Sequence, residues 1–332
     1  MKHTWQWCEI FDLPVASFVR VVLIGMSFDF FTTYDTQLTT RGTKTAAASK
    51  VTMDSIDTIH TTEGLSGNTN VWREKYQIRS YEVDCRNRLS ILSLFSFMQE
   101  AASKHAGALG VSIHQLHAEN FTWLLSRLKI QIAAYPGWND PIQVNTWPSG
   151  TQQLFALRDF KMNGDDHQPI AAAISAWLVI DLRKRRPVRI APFVERLKPI
   201  EGSHIINDRL DKLPALSNPA HEKSFIVRYS DLDINQHANN VKFVEWLVEG
   251  VPADTLRCLV PSEFEINFLA EAFYNDQILT TCSPQNSDNT EFLHSLTRQQ
   301  DGRELARART KWREVGEGNS ACDELNRAGV GI

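Results

Sequence analysis

The strongest constraint on the fold is an internal repeat, because a strand, a turn, a long helix and four strands are predicted twice in this order. At an offset of 149 residues, the turn and helix positions match as Asp84 and Asp233, Leu94 and Phe243, Phe97 and Trp246, Met98 and Leu247, and Glu100 and Glu249. At an offset of 136 residues, 138–140 (Trp-Asn-Asp) match 274–276 (Tyr-Asn-Asp). The difference of 13 residues places extra chain in the first copy, between its helix and its second strand. We interpret the pattern as an internal duplication.

Each copy contains a mostly apolar helix, predicted over residues 91–106 and 239–249. A flat sheet covers only one face of such a helix, whereas a strongly curved antiparallel sheet covers several. This is the hot-dog arrangement, and we predict an α+β fold of two hot-dog units in tandem. The two units would form an intramolecular version of a two-fold dimer, which leaves both a monomer and a homodimer open.

The predicted boundaries follow from changes in composition. They are an N-terminal extension (1–70), a first hot-dog unit (71–200), a linker (201–222), a second hot-dog unit (223–314) and a tail (315–332). Within the extension, residues 36–53 are rich in Thr, Ala and Ser and contain no acid. A poorly ordered extension, a targeting peptide and a mis-assigned start codon all remain open for this segment.

Composition limits the class of protein. The 35 Lys and Arg against 39 Asp and Glu argue against a protein that coats nucleic acid. The 5 cysteines include no Cys-x-x-Cys pair, which argues against a disulfide scaffold and a zinc ribbon and indicates a reducing compartment. No apolar run approaches the roughly 20 residues of a membrane span. We therefore expect a soluble protein.

The two copies differ in the turn before the helix and in the loop opposite it. The second copy has Asp233, Asn235, His237 and Glu271 where the first has Asp84, Arg86, Arg88 and Tyr135. In an extended segment, positions 233, 235 and 237 would point to the same side. An acid/base pair activates water, and an amide with free helix N–H groups near Asn239 and Asn240 holds a developing oxyanion. The second copy therefore predicts a hydrolytic site, without a Gly-x-Ser-x-Gly nucleophile motif.

Other readings of these residues stay open. Asp233 and Asn235 are also typical turn formers before a helix. Asp231-x-Asp233 is compatible with a divalent metal, although Asp231 is more simply interpreted as a turn residue. His114-x-x-His117 is compatible with metal ligation from one helix face, although a solvated surface is the simpler interpretation of this pair. The apolar residues of the first helix are expected mainly in the core, with some in pocket walls; they are Leu92, Leu94, Phe95, Phe97 and Met98.

The run from Tyr229 to Phe243, with Trp246 and Glu249, resembles the signature of acyl-acyl-carrier-protein thioesterases, the plant FatA/FatB type and their bacterial relatives. The resemblance covers roughly residues 72–312. Further matching positions are Leu89-Ser90, Gln99 to Ala102, His105, Tyr135 to Trp138, Thr146-Trp147, Trp177 to Asp181, and Arg185 to Pro187.

This resemblance implies hydrolysis of the thioester between a fatty acyl chain and the phosphopantetheine arm of acyl carrier protein (ACP). The acyl pocket would lie largely in the first unit, and the catalytic set would be Asp233, Asn235, His237 and Glu271. No metal and no cofactor of the protein's own are implied. Plant members often have a Cys after the glutamate, where this chain has Ala272, so the chain favours direct attack by water over a thiol nucleophile.

A basic run interrupts the slightly acidic chain near the end of the first predicted unit; its cations are Arg183, Lys184, Arg185, Arg186 and Arg189. It predicts either a solvated sheet edge or a docking patch for an acidic carrier protein. The alternative functions are an acyl-CoA thioesterase, which needs no such patch, and a non-catalytic acyl-binding protein. We expect no nucleic-acid partner and no stable membrane insertion. The expected compartment is the cytoplasm for a bacterial protein and the plastid for a plant protein.

Overall fold

The computed structural model of the protein describes residues 70–314. The predictions for the N-terminal extension through residue 69 and for the tail from residue 315 lie outside the described residues. The strands are β1 (Trp72–Gln77), β2 (Phe121–Ile132), β3 (Pro141–Gln152), β4 (Phe155–Asn163), β5 (Pro169–Asp181), β6 (Arg186–Pro187), β7 (His221–Ile226), β8 (Leu259–Phe268), β9 (Gln277–Pro284), β10 (Glu291–Arg298) and β11 (Arg303–Glu314). The helices are α1 (Ile91–Ala108), α2 (Ile113–Ala118), α3 (Ala191–Leu197), α4 (Asn240–Glu249) and α5 (Ala253–Cys258).

Within the described residues, all strands belong to one 11-stranded sheet with the order β1-β3-β4-β5-β2-β8-β11-β10-β9-β7, and β6 pairs with β5. Every pairing is antiparallel. Read from each outer edge inward, the first half (β1 to β6) and the second half (β7 to β11) have the same strand order. The halves join where β2 pairs with β8, with Ile130 opposite Phe264. The antiparallel arrangement of the strands predicted from the sequence is therefore confirmed, and the strands of both halves form one continuous sheet.

The repeat also holds at the level of single contacts around the turn before each long helix. In the first half, the carboxylate of Glu82 accepts from the backbone N–H of Arg79, and in the second half that of Asp231 accepts from Arg228, each at 2.8 Å. The turn also contacts the loop after β2 or β8 through a backbone bond, Leu89 N–H to Pro136 O (2.7 Å) or Ala238 N–H to Ala272 O (2.9 Å). Both offsets that define the repeat in the sequence reappear in these bonds.

The two long helices begin in the same way and differ in length. Ser90 caps α1 by accepting from the N–H of Ser93, and Asn239 caps α4 by accepting from the N–H of Val241. Helix α1 has 18 residues and α4 has 10. The extra residues of the first copy therefore lie in the longer end of α1 and in the connection that contains α2.

One hydrophobic core includes residues of both halves. Phe95 of α1 packs edge-on against Phe264 of β8, with ring centroids 5.6 Å apart. Both rings belong to a buried cluster that includes α1, α4 and the inner face of the sheet. Burial of this shared apolar surface stabilises the two halves together. Among residues 70–314, no helix has the length and apolar character needed to cross a membrane.

The segment predicted as a linker, residues 201–222, is packed against the sheet over part of its length. Ile205, Ile206 and Leu210 are buried in a cluster that also includes Trp147 of β3. The carboxylate of Asp159 in β4 accepts from the N–H of Ile205 at 2.7 Å. This segment therefore connects the halves and also covers the outer face of β3, β4 and β5, and its last two residues already belong to β7.

Candidate functional site

The turn that carries Asp233, Asn235 and His237 is tight and is not extended. The Oδ1 atom of Asp233 accepts from the backbone N–H groups of Asn235 (2.8 Å) and His237 (3.3 Å), and Gln236 has a φ of 63°. The expectation that the three side chains point the same way as in a strand is therefore wrong. A carboxylate that accepts from the backbone two and four residues ahead stabilises the turn and competes with the extended form.

The first half has the same turn without the hydrolytic side chains. Oδ1 of Asp84 accepts from the N–H groups of Arg86 (2.9 Å) and Arg88 (3.0 Å). Its Oδ2 atom accepts from the guanidinium of Arg88 at 2.7 Å. In the second half the corresponding position is His237, and among the described residues no cation lies within ion-pair distance of Asp233. The turn-forming role of the aspartate is therefore common to both halves. The second carboxylate oxygen of Asp84 binds Arg88, whereas that of Asp233 binds no cation among the described residues.

Glu271 reaches the turn from the loop after β8. Its Oε1 atom lies 3.3 Å from Nδ1 of His237, and the two side chains are 47% and 34% exposed. The ring of Phe273 packs edge-on against the imidazole, with centroids 5.1 Å apart. The guanidinium of Arg298, the last residue of β10, holds this loop: it donates to the backbone O of Glu271 at 3.5 Å and to the carboxylate of Asp276 at 3.3 Å. The carboxylate–imidazole pair can accept, hold and return a proton.

The two asparagines at the start of α4 have different surroundings. The side chain of Asn239 caps the helix, and its backbone N–H donates to the backbone O of Asp231 at 2.8 Å. Its N–H and Oδ1 are therefore occupied, so Asn239 itself does not supply one of the free helix N–H groups expected near Asn239 and Asn240. The oxyanion role of this helix end stays a prediction. Asn240 is the first helical residue, and no backbone acceptor for its N–H occurs among the described residues. The N–H of Asn240, at the positive end of the α4 dipole, is therefore available to bind an anion.

All of these predicted site residues line one cavity of about 980 Å³. Its wall includes the site turn and the β8–β9 loop of the second half together with α1, β2, β4 and β5 of the first half. The lining side chains of α1 are Gln99, Glu100, Ala102, Ser103 and Ala106. The larger apolar side chains that line the cavity from the first half are Val111, Ile113, Trp123, Leu124, Leu125, Leu157, Trp177 and Leu197. The arrangement therefore places a proton-transfer pair and a helix N-terminus beside a cavity with many apolar lining residues.

Several other sequence expectations are resolved by this geometry. None of the five apolar residues of α1 predicted for core or pocket lines the cavity: Leu94, Phe95, Phe97 and Met98 belong to the buried core, and the partly buried Leu92 packs against it. Of the cysteines that the structure describes, Cys85, Cys258 and Cys282, none lines the cavity, and Ala272 is fully buried. Asp231 is buried and bound by Arg228, as expected of a turn residue. Residues 70–314 contain no group of three or more His, Cys, Asp or Glu able to hold a metal ion.

Tyr135, the first-half residue that matches Glu271, forms a hydrogen bond to the second half. The hydroxyl of Tyr135 donates to the backbone O of Pro261, and burial raises the pKa of this phenol. Arg86 donates to the backbone O of Leu256 at 3.4 Å. In the first half, the residues that match Asn235 and Glu271 therefore form hydrogen bonds to the second half.

The basic run covers the exposed turn between β5 and β6, strand β6 itself and the residues that follow it. All five of its cations are exposed, and none lines the cavity. Asp181 accepts from the N–H groups of Arg183 and Lys184, each at 2.9 Å, which fixes the turn. Its docking role stays a prediction.

Two residues at or beside the site were missed by sequence reasoning. Phe273 directly follows Glu271-Ala272, and its contact with His237 is visible only in three dimensions. Arg158 lines the cavity from β4, but Asp159 and Lys161 lie in the same strand, so its charge gave no distinguishing signal in the sequence.

Two family models match the chain: the acyl-ACP thioesterase N-terminal domain over residues 69–197 and the acyl-ACP thioesterase C-terminal domain over residues 216–314. The chain therefore belongs to the acyl-ACP thioesterase family. It is 31% identical over 263 residues to the chloroplastic palmitoyl-acyl carrier protein thioesterase of Gossypium hirsutum, with 73% of this chain and 64% of that protein covered. The chain thus spans less than two thirds of that relative.

Solved structures of similar proteins share the fold. The 12:0-ACP thioesterase from Umbellularia californica has a TM-score of 0.68 and 25% identity, covering 75% of this chain and 99% of that one. An acyl-ACP thioesterase from Bacteroides thetaiotaomicron has a TM-score of 0.67 and 24% identity, covering 74% of this chain and 98% of that one.

Proposed function

We propose that the protein hydrolyses fatty acyl-ACP to free fatty acid and holo-ACP, and so terminates fatty acid synthesis. The observation that carries the proposal is the contact of His237 with Glu271 in the wall of an apolar cavity, next to the start of α4. Membership of the acyl-ACP thioesterase family supports it. The names of the relatives, which describe palmitoyl- and dodecanoyl-ACP hydrolysis, support a fatty acyl substrate.

In this mechanism the acyl chain occupies the cavity and the thioester lies beside the site turn. Glu271, with His237 and Asp233, orients a water molecule and takes its proton as the water oxygen bonds to the carbonyl carbon. Asn235 and the N–H of Asn240 stabilise the negative charge that develops on the carbonyl oxygen. The C–S bond then breaks, the carboxylic acid forms, and the proton passes to the phosphopantetheine sulfur.

The finer description of the fold belongs to the same proposal: two hot-dog units in tandem, with boundaries at residues 71–200 and 223–314. The matching strand orders of the halves and the matching turns before α1 and α4 support it. The catalytic unit is then the second one. The first unit supplies much of the chain pocket, in keeping with its share of the cavity wall.

We propose the exposed cations of the basic run, Arg183, Lys184, Arg185, Arg186 and Arg189, as the docking patch for ACP. An exposed cluster of one sign raises the encounter rate with an oppositely charged partner, most strongly at low salt. The alternative donor is acyl-CoA, which shares the thioester and needs no protein docking. Since the two donors carry the same acyl group, their comparison isolates the contribution of docking.

The test is release of free fatty acid from one acyl group presented on ACP and on CoA. We expect faster turnover on ACP, and the double variant Arg185→Glu and Arg186→Glu should lower kcat/KM for acyl-ACP alone. The matched control is Arg209→Glu with Lys212→Glu, which makes the same charge change at exposed residues outside the patch. Equal losses on both donors would contradict the docking role. Tight acyl binding without any release would instead identify a non-catalytic acyl-binding protein.

We propose the plastid as the compartment. The palmitoyl-acyl carrier protein thioesterase of Gossypium hirsutum is chloroplastic by name, which favours the plastid over the bacterial cytoplasm for this chain. Localisation of the full-length chain carrying a C-terminal fluorescent protein tests this proposal.

A further inference from the structure

An arginine behind the loop of Glu271 is bound at all three of its side-chain nitrogen atoms. Arg298 is the last residue of β10, and its side chain is only 19% exposed. Its Nε (3.0 Å) and Nη2 (2.8 Å) atoms donate to the two carboxylate oxygens of Asp301, on the turn between β10 and β11. This two-point contact leaves Nη1 to the loop after β8, where it donates to Asp276 and to the backbone O of Glu271.

The carboxylate of Asp276 extends this network to Phe273. The Oδ2 atom that accepts from Arg298 also accepts from the backbone N–H of Phe273 at 2.9 Å. The N–H of Asp276 donates in return to the backbone O of Phe273 at 3.0 Å. The ion pair therefore holds two residues that contact the imidazole of His237, namely Phe273 and Glu271.

The first half has the same turn without the arginine. Oδ2 of Asp140 accepts from the backbone N–H of Gly137 at 2.8 Å, and the N–H of Asp140 donates to the backbone O of Gly137 at 3.2 Å. Among residues 70–314, no cation lies within ion-pair distance of Asp140. This half has Tyr135 at the position that matches Glu271. The aspartate alone therefore forms the turn, and the arginine accompanies the copy that carries the acid/base site.

The bonds of Arg298 are of the strong kind. The hydrogen bonds that it donates to Asp301 and Asp276 raise the pKa of Arg298 above its ordinary value, so the guanidinium stays protonated. Hydrogen bonds between ionised partners are roughly twice as strong as neutral ones. The carboxylate of Glu271 is 47% exposed, so packing alone does not fix it. A displacement of about 1 Å of a reacting group can cost on the order of 10²-fold in rate.

We propose that Arg298 is a positioning residue for acyl-ACP hydrolysis, an inference that rests on the thioesterase function proposed above. It holds the backbone of Glu271 directly and that of Phe273 through Asp276, and so keeps the carboxylate of Glu271 against the imidazole of His237. Arg298 does not line the cavity. Its effect on the reaction therefore passes through Glu271, and it acts on the chemical step and not on substrate binding.

The first test compares kcat and KM for one acyl-ACP in wild type, Arg298→Ala and Arg307→Ala. Arg307 is the matched control, because its Nε and Nη2 atoms bind both carboxylate oxygens of Glu304, three residues away, and its side chain is 16% exposed. It does not line the cavity. We expect kcat of Arg298→Ala to fall on the order of 10²-fold with KM nearly unchanged, and Arg307→Ala to keep the wild-type kcat.

Two results of this comparison would overturn the inference: equal kcat in the two variants, or a loss in Arg298→Ala that lies in KM alone. Absence of fatty acid release by the wild type would instead contradict the thioesterase function itself.

The second test asks whether the effect passes through Glu271. In a chain that already carries Glu271→Gln, the carboxylate that Arg298 positions is gone, so Arg298→Ala should lower single-turnover release little further. An arginine that only stabilises the fold would lower the rate by the same factor in both backgrounds. Such additive losses would overturn the inference.

Should Arg298→Ala not fold, Asp276→Asn decides. Its amide oxygen still accepts from the N–H of Phe273, while the ion pair with Arg298 is lost, so we expect kcat to fall on the order of 10-fold. Asp140→Asn makes the same change in the first-half turn, which has no arginine, and should keep the wild-type kcat. Equal kcat in Asp276→Asn and Asp140→Asn would overturn the inference.

Discussion

The Nδ1 atom of His237 lies 3.3 Å from Oε1 of Glu271, so that a residue of the turn before α4 meets a residue of the loop after β8. The backbone bond from Ala238 N–H to Ala272 O, at 2.9 Å, ties the same turn to the same loop. The pair is thus positioned by the backbone on both sides. A site assembled from two loops in this way depends on their relative position more than on either loop alone.

The two matched aspartates separate turn formation from catalysis. Asp233→Asn keeps an oxygen that accepts from the backbone, so we expect nearly unchanged stability and a loss of acyl-ACP hydrolysis on the order of 10²-fold or more. Asp84→Asn keeps the turn but leaves the buried Arg88 without its carboxylate. We expect that variant to lose about 3 kcal/mol of unfolding free energy and to keep its turnover. Urea unfolding and steady-state kinetics measure both, and the reverse pattern would refute the assignment of the second copy as the catalytic one.

Asn239 tests the cap of α4. Removal of an N-cap side chain typically costs about 1 kcal/mol, so Asn239→Ala should lower the unfolding free energy by that amount. Asn239→Ser should restore it, because Ser90 fills the matching position of α1. Turnover should follow the same order, since fraying of the first helical turn displaces the N–H of Asn240. Thermal unfolding of the three proteins gives the result, and equal stability of all three would show that the cap is not required.

Acid should destabilise the protein through its buried histidines. Burial lowers the pKa of His294 to about 3, so the unfolded chain binds a proton that the folded chain does not between about pH 6.5 and pH 3. The stabilisation is therefore complete above about pH 6.5 and is lost as the pH falls. Between about pH 6.5 and pH 5, one such histidine costs about 2 kcal/mol.

The check is the unfolding free energy of wild type and His294→Gln at both pH values. Since Gln does not titrate, the variant should lose about 2 kcal/mol less than the wild type on acidification. An identical pH dependence of the two proteins would mean that His294 is already protonated in the folded state.

Tyr135→Phe tests the cross-half hydrogen bond at the position that matches Glu271. The variant leaves the backbone O of Pro261 without its donor. We expect a loss of about 1–3 kcal/mol in unfolding free energy and no change in kcat. A fall in kcat with unchanged stability would instead assign the first-half turn to catalysis.

Much of the architecture was predictable from the sequence because the long elements carry strong periodic signals. Helices α1 and α4 lie close to their predicted positions, 91–106 and 239–249. The short helices α2, α3 and α5 were not predicted as elements, since six or seven residues contain too few turns to show a period. The packed segment around Ile205 and Leu210 was also missed, because its polar, proline-containing surroundings resemble a linker.

The site was predictable to the extent that the two copies could be compared. Glu271 is recognisable as a site residue only because the first copy has Tyr135 at the matching position. The repeat also predicts that the loop of Glu271 lies opposite the turn of His237. The orientation of Asp233 was not predictable, since the same carboxylate suits a strand and a tight turn, and the structure shows the turn. The place of Arg158 in the cavity wall depends on which face of β4 meets the cavity, and the pattern of a nearly fully buried strand does not distinguish its faces.

The most direct test of the proposed chemistry is single-turnover release of fatty acid from a defined acyl-ACP by wild type, Glu271→Gln, His237→Gln and the double variant. Residues that act as one unit give non-additive losses, so we expect each single variant to lose on the order of 10²- to 10⁴-fold and the double variant to lose little more. Glu222→Gln, at an exposed position of β7, should retain the wild-type rate. Wild-type rates in Glu271→Gln and His237→Gln would contradict hydrolysis at this site.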